Sequence, residues 1–362
     1  MTIFNPFNRG TDCKKHSSVS ANQVGQLIGN PDGPSQTAVI YKSELDYMSR
    51  CILDYPKLET GGQLFGYWTS TGIPVVLYAI GPGKNAKHNY TSFFQDMNYL
   101  QFVGNELYRK YRLLHIGEWH SHHQLGLAIP SGGDVDTMRY GVGKPGFSRM
   151  LLCIGNCTDT QTTINPFNFY EKNPREYSRA MWDVVERESP FRRNVDNDLS
   201  HILIHPRMQK ASHGMINTIA YAGMNAEVAT HWLTESIENV EIMKSFVSVV
   251  QSILPDVQVN TEILDTGEPL IVMKEIGVTI ELPYGFPSQG PILTFEKDGK
   301  SIVCDGVWEM GENALIVSFK AWFETLMLSL SKASQLDLPN EIRLKLEQDG
   351  TATSIEANNL GN

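Results

Sequence analysis

Three side chains that could bind a metal ion occur within one short stretch of the sequence. His120 and His122 follow the apolar run 113–116, which predicts a buried strand. Side chains two residues apart on a strand point to the same face, so the two imidazoles should share a pocket. Asp134, at the start of the next predicted helix, could bring a carboxylate to that pocket. Two His and one Asp with an open fourth position form a catalytic zinc site, where the metal lowers the pKa of water to about 7.

The same residues also have purely structural interpretations. Ser131 followed three residues later by Asp134 has the spacing of a capping box at a helix N-terminus. A His-x-His pair on a strand is often a polar pair near a surface. The strand, the loop containing Pro and Gly, and the acid at the helix start together favour the metal site. His123, which faces away on the strand, and Asp136, two residues further into the helix, are the residues most easily mistaken for ligands.

The arrangement resembles the JAMM (MPN-plus) metalloprotease family, in particular its deubiquitinase-like isopeptidases of the prokaryotic type. The family signature is a distant Glu, then His-Ser/Thr-His, then a Ser and, three residues later, an Asp. Here the matching residues are Glu59, the segment 120–122, Ser131 and Asp134. Family members typically have seven residues between the second His and the Ser, whereas this chain has the eight residues 123–130.

The resemblance covers roughly residues 38–172 and implies a role for each signature residue. Glu59 would be the general base that takes a proton from zinc-activated water and passes it to the leaving amine. On its own, Glu59 is typical of a surface acid at a helix end. Ser131 would donate its hydroxyl to the oxyanion. Glu118 is a rival base because strand alternation places it on the face of the imidazoles, but a distance of about 6.6 Å along the strand favours a role in orienting an imidazole.

Composition restricts the class of protein and its partners. The chain has 362 residues, which suggests two domains, and 41% hydrophobic residues, enough for each to bury a core. The formal net charge is -10 and no Lys/Arg run is present, which argues against nucleic acid or an anionic membrane as partner. Five scattered Cys form neither a zinc ribbon nor a disulfide framework, and no stretch reaches transmembrane length. We therefore expect a soluble, cytoplasmic protein.

Apolar periodicity predicts an α/β fold for residues 38–172, preceded by a flexible N-terminal arm over residues 1–37. A helix begins with a capping pattern at Ser43 and is ended by Pro56 shortly before Glu59. The other predicted elements are strands 63–69 and 74–80, a helix over 96–112, the His strand, the Ser131 helix, and strands 148–155 and 162–170. With the resemblance, this predicts an MPN (JAB) domain, a mixed sheet flanked by helices.

The second half of the chain is predicted to be a different domain. Residues 173–200 are dense in charge and are predicted to be a linker, with a short helix around 177–186. An α+β domain follows over residues 201–335, and a polar tail over 336–362. Its predicted elements are an amphipathic helix over 242–253, strands 257–264, 269–274 and 278–282, and a long helix over 314–331.

A Tyr/Phe-Pro and Gly-Pro stretch, followed by Ile-Val-Cys-Asp, a Trp and a helix, resembles ubiquitin-conjugating enzymes and their inactive RWD relatives. This similarity covers roughly residues 236–331. In an active conjugating enzyme Cys304 would carry the ubiquitin-like tail as a thioester. The His-Pro-Asn triplet that normally precedes that Cys is absent, and the segment 296–300 takes its place. A free Cys in a strand is the structural alternative for Cys304.

These resemblances imply a zinc isopeptidase that processes or deconjugates a ubiquitin-like protein. The implied setting is a bacterial ubiquitin-like conjugation pathway in antiviral defence. Its implied partners are a ubiquitin-like protein or its conjugates, together with activating and conjugating enzymes of that pathway. One alternative is a metal-free scaffold that binds proteins. Another is a bifunctional enzyme that also conjugates through Cys304.

Overall fold

The computed structural model describes residues 33–144, 146–172, 176–207, 212–213, 231–264, 268–275, 277–295 and 301–303. The chain forms a mixed α/β fold with a large mixed sheet, a five-stranded antiparallel sheet and a few helices. Cys304, the helix predicted over 314–331 and the polar tail lie outside the described residues, as does the arm before residue 33. Among the described residues, no helix has the length and apolar character needed to cross a membrane.

The first part of the chain supplies the strands of the large sheet and one small hairpin. The strands are β1 (Thr37–Tyr41), β2 (Gly61–Trp68), β3 (Pro74–Ile80), β4 (Lys87–His88), β5 (Phe93–Phe94), β6 (Leu114–Ser121), β7 (Arg149–Cys157), β8 (Gln161–Tyr170), β9 (Tyr177–Arg179), β10 (Met181–Val185) and β11 (Ser212–His213). Strands β4 and β5 pair only with each other. The others form a sheet in the order β10-β1-β3-β2-β6-β7-β8-β11, with β9 also paired to β8. Strand β6, which was predicted from the apolar run before His120, therefore lies in the middle of the sheet.

Helices cover both faces of the large sheet. Helix α1 (Lys42–Leu53) packs on one face, where its apolar side chains share a core with Ile116 and Trp119 of β6. Helices α2 (Met97–Tyr111) and α3 (Gly132–Val142) pack on the other face. Helix α2 covers side chains of β2 and β3, and α3 covers side chains of β7 and β8. Strand β6 lies between these two helices because it separates β2 from β7 in the sheet order.

Residues 177–185 contain two strands of the large sheet and not a linker helix. Strand β10 pairs in parallel with β1, and β9 pairs with β8, so the helix expected around 177–186 is wrong. Helix α4 (Arg192–Asp198) follows, and Arg192 forms a buried ion pair with Glu44 of α1. The high charge of this segment suggested a solvated linker, but it contains the mostly apolar strand Met181–Val185, whose Trp182 is buried. The division of the chain into domains stays a prediction.

The second sheet is an antiparallel meander packed against a long helix. Its elements are α5 (Trp232–Glu235), α6 (Ile237–Ile253), β12 (Gln258–Ile263), β13 (Pro269–Glu275), β14 (Val278–Leu282), β15 (Ile292–Phe295) and β16 (Ser301–Val303). Phe246 and Val250 of α6 are buried against Met273 and Ile280 of the sheet. The amphipathic helix and the three strands predicted for this region are confirmed. Its similarity to conjugating enzymes stays a prediction.

One hydrophobic core connects the two sheets. The hydroxyl groups of Tyr67 on β2 and Tyr284 after β14 lie 3.2 Å apart, within hydrogen-bonding distance. The Trp232 ring packs between Tyr67 and Phe191, and its indole N–H donates to the carbonyl of Tyr284. The meander is therefore held on the side of the sheet that also carries α2.

Candidate metal centre

Side chains of His120, His122 and Asp134 converge at the end of strand β6. The Nε2 atoms of His120 and His122 lie 3.2 Å apart. Oδ1 of Asp134 lies 3.2 Å from Nε2 of His120, and Oδ2 lies 3.4 Å from Nε2 of His122. One ligand atom from each residue lies within 4.8 Å of the other two. Two imidazole nitrogens and a carboxylate at this spacing could hold one metal ion.

The sheet fixes the position of His120 and His122. In the register, His120 lies beside Gly61 of β2 and Ile154 of β7. The N–H of His122 donates to the carbonyl of Gly155 at 2.7 Å, which holds the chain where it leaves the strand. A side chain at Gly61 would meet the β-carbon of His120 at 2.9 Å, so a glycine is needed for β2 to approach β6 here. The imidazoles thus extend from a backbone supported on both sides.

A backbone carbonyl selects the tautomer of His122. Nδ1 of His122 lies 2.9 Å from the carbonyl oxygen of Leu127, and a carbonyl can only accept. Nδ1 therefore carries the proton, and Nε2 of the neutral ring presents its lone pair to the cluster. The side-chain amide of Asn156 donates to the same carbonyl at 3.1 Å. Such a partner orients a ligating imidazole in metal sites.

Asp134 is positioned by the capping box at the start of α3. The N–H of Ser131 donates to Oδ2 of Asp134 at 2.6 Å, and the N–H of Asp134 donates to Oγ of Ser131 at 3.3 Å. The capping interpretation of these residues is therefore confirmed, and their roles in a metal site stay predictions. Burial raises the pKa of Asp134, but hydrogen bonds with His120 and His122 outweigh it and hold the pKa well below its usual range.

Glu59 lies next to the cluster on a segment fixed by hydrogen bonds. Its N–H donates to the carbonyl of Asn89 at 2.8 Å, and Nδ1 of His88 donates to its carbonyl at 3.0 Å. The following residue, Thr60, exchanges hydrogen bonds with Ser121 of β6. Burial raises the pKa of the Glu59 carboxyl, and the imidazoles of the cluster oppose that shift. The carboxylate therefore lies within electrostatic reach of the predicted ligands.

The structure places the remaining candidates outside the cluster. Glu118 lies on the predicted face, and its hydrogen-bond partner among the described residues is the amide of Gln95, at 3.4 Å. Burial raises its pKa, and His120 opposes the shift. His123 donates from Nε2 to the carbonyl of Tyr90 at 2.9 Å, and Asp136 pairs with Arg139. A role for Glu118 in orienting an imidazole stays a prediction.

Sequence reasoning missed several residues that support the site. Asn156, His88 and His123 are polar side chains of separate segments whose partners are backbone carbonyls beside the cluster. His88 also stacks on Tyr55, with ring centroids 3.8 Å apart. The one sequence signal was the position of Asn156 just after the Gly that ends a buried strand pattern. The other contacts join segments that are far apart in the sequence, so no local pattern predicts them.

Apolar side chains are exposed around the cluster. The loop between the second His and Ser131 exposes Leu127 and Ile129 to 53% and 58%. Tyr90, whose ring lies 4.7 Å from that of His123, is 57% exposed. Exposed apolar groups beside a polar cluster are typical of binding surfaces.

Comparisons with known proteins agree with this geometry in part. No protein-family model matches the chain. The probable metalloprotease y4qB of Sinorhizobium fredii is 30% identical over 111 residues, which are 29% of this chain. The match covers 66% of that relative, just under two thirds of its length. The similarity is to a probable metalloprotease, and the His-His-Asp cluster is a possible metal site.

Two solved structures share low similarity with part of the chain. A solution structure from Desulfitobacterium hafniense is 16% identical, with a TM-score of 0.34, and covers 42% of this chain and 94% of its own. A solution structure from Salinibacter ruber is 19% identical, with a TM-score of 0.28, and covers 41% and 90%. Both TM-scores lie below 0.5 and do not establish a common fold.

Proposed function

We propose that this chain is a zinc-dependent isopeptidase of the JAMM type that processes or deconjugates a ubiquitin-like protein. The observation that carries the proposal is the convergence of His120, His122 and Asp134 near Glu59, whose backbone is held by hydrogen bonds. The similarity to a probable metalloprotease supports the peptidase part. The ubiquitin-like substrate, the pathway and the partner enzymes are supported only by the sequence resemblances described above.

The donor set fits zinc. Zinc binds imidazole nitrogen and carboxylate oxygen, and three protein ligands with one open position distinguish catalytic sites from structural ones. Nε2 of His122 is available as a lone pair because Nδ1 donates to Leu127. Asp134 brings the negative charge that a divalent cation needs. A zinc ion held there would supply Lewis-acid polarisation of the scissile carbonyl and activation of water near neutral pH.

Glu59 moves the proton in the proposed reaction. It accepts the proton that the attacking water loses as its oxygen bonds to the carbonyl carbon. It then delivers that proton to the nitrogen as the C–N bond breaks, so the products are an acid and an amine. Burial raises the pKa of Glu59 toward the operating range of a general base.

Ser131 stabilises the negative charge that develops on the carbonyl oxygen. Its Oγ already accepts the N–H of Asp134, so the hydroxyl proton can be donated elsewhere. A positioned donor of this kind contributes a few kcal/mol to transition-state stabilisation. The exposed apolar groups of Leu127, Ile129 and Tyr90 offer contacts for a polypeptide on either side of the scissile bond.

The test compares variants of the full chain incubated with a ubiquitin-like precursor, with and without chelator. Glu59→Gln should retain zinc by elemental analysis and lose about 10²–10⁴-fold in kcat, the usual contribution of a general base. His120→Ala should lose both zinc and activity. Asp136→Asn is the matched control, because this acid lies near Asp134 but pairs with Arg139.

Full activity of Glu59→Gln would move the base to another residue, with Glu118→Gln as the next variant. Cleavage that resists the chelator, or folded protein that never contains zinc, would overturn the proposal.

A further inference from the structure

A cavity of about 270 Å³ lies between helix α2 and the large sheet. Phe65 of β2 and Leu100 and Tyr108 of α2 form apolar walls, and Gly104 of α2 leaves space between them. His115 of β6 also lines the cavity. The volume is just below the range of about 300–1,000 Å³ typical of pockets for drug-sized ligands, so it suits a single side chain.

The cavity and the metal centre lie on the same face of β6. Glu118 lies beside Gln63 of β2, and a shift in register brings His115 beside Phe65. His120 lies beside Ile154, which packs against α3 on this face. His115, Glu118 and His120 are half-buried, whereas Ile116 and Trp119 on the other face are buried under α1. The side chains of β6 between α2 and α3 therefore form a half-buried strip from the cluster to the cavity.

His115 supplies a hydrogen-bonding atom without a partner. Its Nε2 is buried and has no hydrogen-bond partner among the described residues. The ring is held by Phe65 and Phe147, with centroids 5.8 Å away in each case. Burial lowers the pKa of His115 to about 4, opposed by a hydrogen bond to the backbone of Gly117, so the ring is neutral near pH 7. A neutral ring that donates to a carbonyl through Nδ1 presents Nε2 as an acceptor.

We propose that this cavity binds an aromatic side chain with a hydrogen-bond donor, tyrosine or tryptophan, of a polypeptide whose scissile bond lies at the metal centre. The planar ring would pack among Phe65, Leu100 and Tyr108, and its O–H or N–H would donate to Nε2 of His115. The position of the scissile bond rests on the proposed function.

Strand geometry gives the spacing between the aromatic residue and the scissile bond. His115 and His120 are five residues apart on β6, which corresponds to roughly 16 Å at about 3.3 Å per residue. An extended peptide along the strip advances by the same distance per residue. The aromatic residue therefore lies four or five positions from the cleaved bond.

The first experiment measures binding of three probes to the zinc-loaded full chain by NMR titration. The probes are the N-acetyl amides of tyrosine, tryptophan and phenylalanine. The tyrosine and tryptophan probes should bind about tenfold more tightly than the phenylalanine probe, the factor expected for one hydrogen bond. His115→Phe should remove this preference, and Gly104→Leu should fill the cavity and abolish binding of all three.

Gly104→Ala is the control, because an added Cβ would lie 3.5 Å from the Phe65 ring, an ordinary contact. Circular dichroism checks that each variant is folded. Equal affinity for all three probes, or unchanged binding in folded Gly104→Leu, would overturn the inference.

The second experiment cleaves a peptide library derived from a proteome digest and aligns the products at the cleaved bond. Tyrosine and tryptophan should be enriched four or five positions from that bond by the wild type, and Gly104→Leu should lose the enrichment. Cleavage without enrichment would remove the proposed substrate preference and leave the proposed function intact. Absence of cleavage of both the library and the ubiquitin-like precursor, together with selective binding of the probes, would remove the proposed function and retain the cavity as an aromatic site.

Discussion

Two acids, the buried Glu44 and the half-buried Asp134, are compensated in different ways. Glu44 of α1 lies under the sheet, where the guanidinium of Arg192 contacts both of its carboxylate oxygens. The N–H of Ala79 also donates to Glu44 at 2.7 Å. The Arg192 side chain packs over the rings of Tyr47 and Tyr78. The negative charge of Glu44 is therefore matched by a cation that belongs to the chain.

Asp134 has no arginine or lysine among its contacts in the described part of the chain. Its carboxylate faces the imidazoles of His120 and His122, which are charged only when protonated. Burial lowers the pKa of His122, but Asp134 outweighs this effect and raises it. A positive charge beside this carboxylate would come from a protonated imidazole or from a metal ion. Glu44 is thus paired within the chain, whereas Asp134 is a candidate metal ligand.

The largest predicted effect follows from removing the cation that pairs with Glu44. Arg192→Ala should destabilise the protein by about 3–5 kcal/mol, because it leaves the buried Glu44 charge without a partner. Urea denaturation measures the free energy of unfolding. Arg193→Ala is the control, since Arg193 pairs with Glu188 in solvent and such pairs contribute about 0–1 kcal/mol. A similar small loss in both variants would contradict the structural role of the buried pair.

The stability gained from zinc should depend on Asp134. Zinc at about 1,000 times its dissociation constant should stabilise the wild type by about 4 kcal/mol, because it binds only the folded state. Asp134→Asn should lose this gain and cost less than about 1 kcal/mol without metal, since Asn can still accept from Ser131. Thermal unfolding with zinc or with chelator measures both quantities. Asp136→Asn should behave like wild type; an equal gain with zinc in Asp134→Asn would contradict the assignment.

Local patterns predicted most of the elements that carry the candidate site. The alternation of His120 and His122 after an apolar run predicted β6, and the capping spacing predicted the start of α3. Helix α6 and the strands that follow it were also predicted from local period and from turn residues. Each of these features depends on residues close together in the chain, so a single sequence is enough to predict it.

Contacts between distant segments could not be predicted in this way. Glu44 and Arg192 are 148 positions apart, and nothing near either residue indicates the other. Strand β10 is recognised only by its parallel pairing with β1. The contact of Asn156 with the carbonyl of Leu127 depends on where β7 ends relative to a loop. These features follow from tertiary packing, which a local period does not encode.

A third acid, the buried Asp183 of β10, has no charged partner in the described part of the chain. Burial raises its pKa to about 6. The folded state then holds a proton that the unfolded state has released, so stability falls as pH rises from about 4 to about 6. The free energy of unfolding of Asp183→Asn should equal that of the wild type near pH 4. At pH 8 the variant should be more stable by about 2–3 kcal/mol. Urea denaturation at both values tests this; a difference independent of pH would show that the carboxyl is not the cause.

The smallest predicted effect lies on α2, away from all three acids. Gly104 is inside the helix, where glycine costs about 0.5–1 kcal/mol relative to alanine. An added Cβ would make only ordinary contacts with Phe65, so Gly104→Ala should stabilise the protein by that amount. Urea denaturation at neutral pH measures the gain. It should be the same with and without zinc because Gly104 does not contact the metal centre. A gain that depends on zinc would mean that the cavity and the metal centre are energetically coupled.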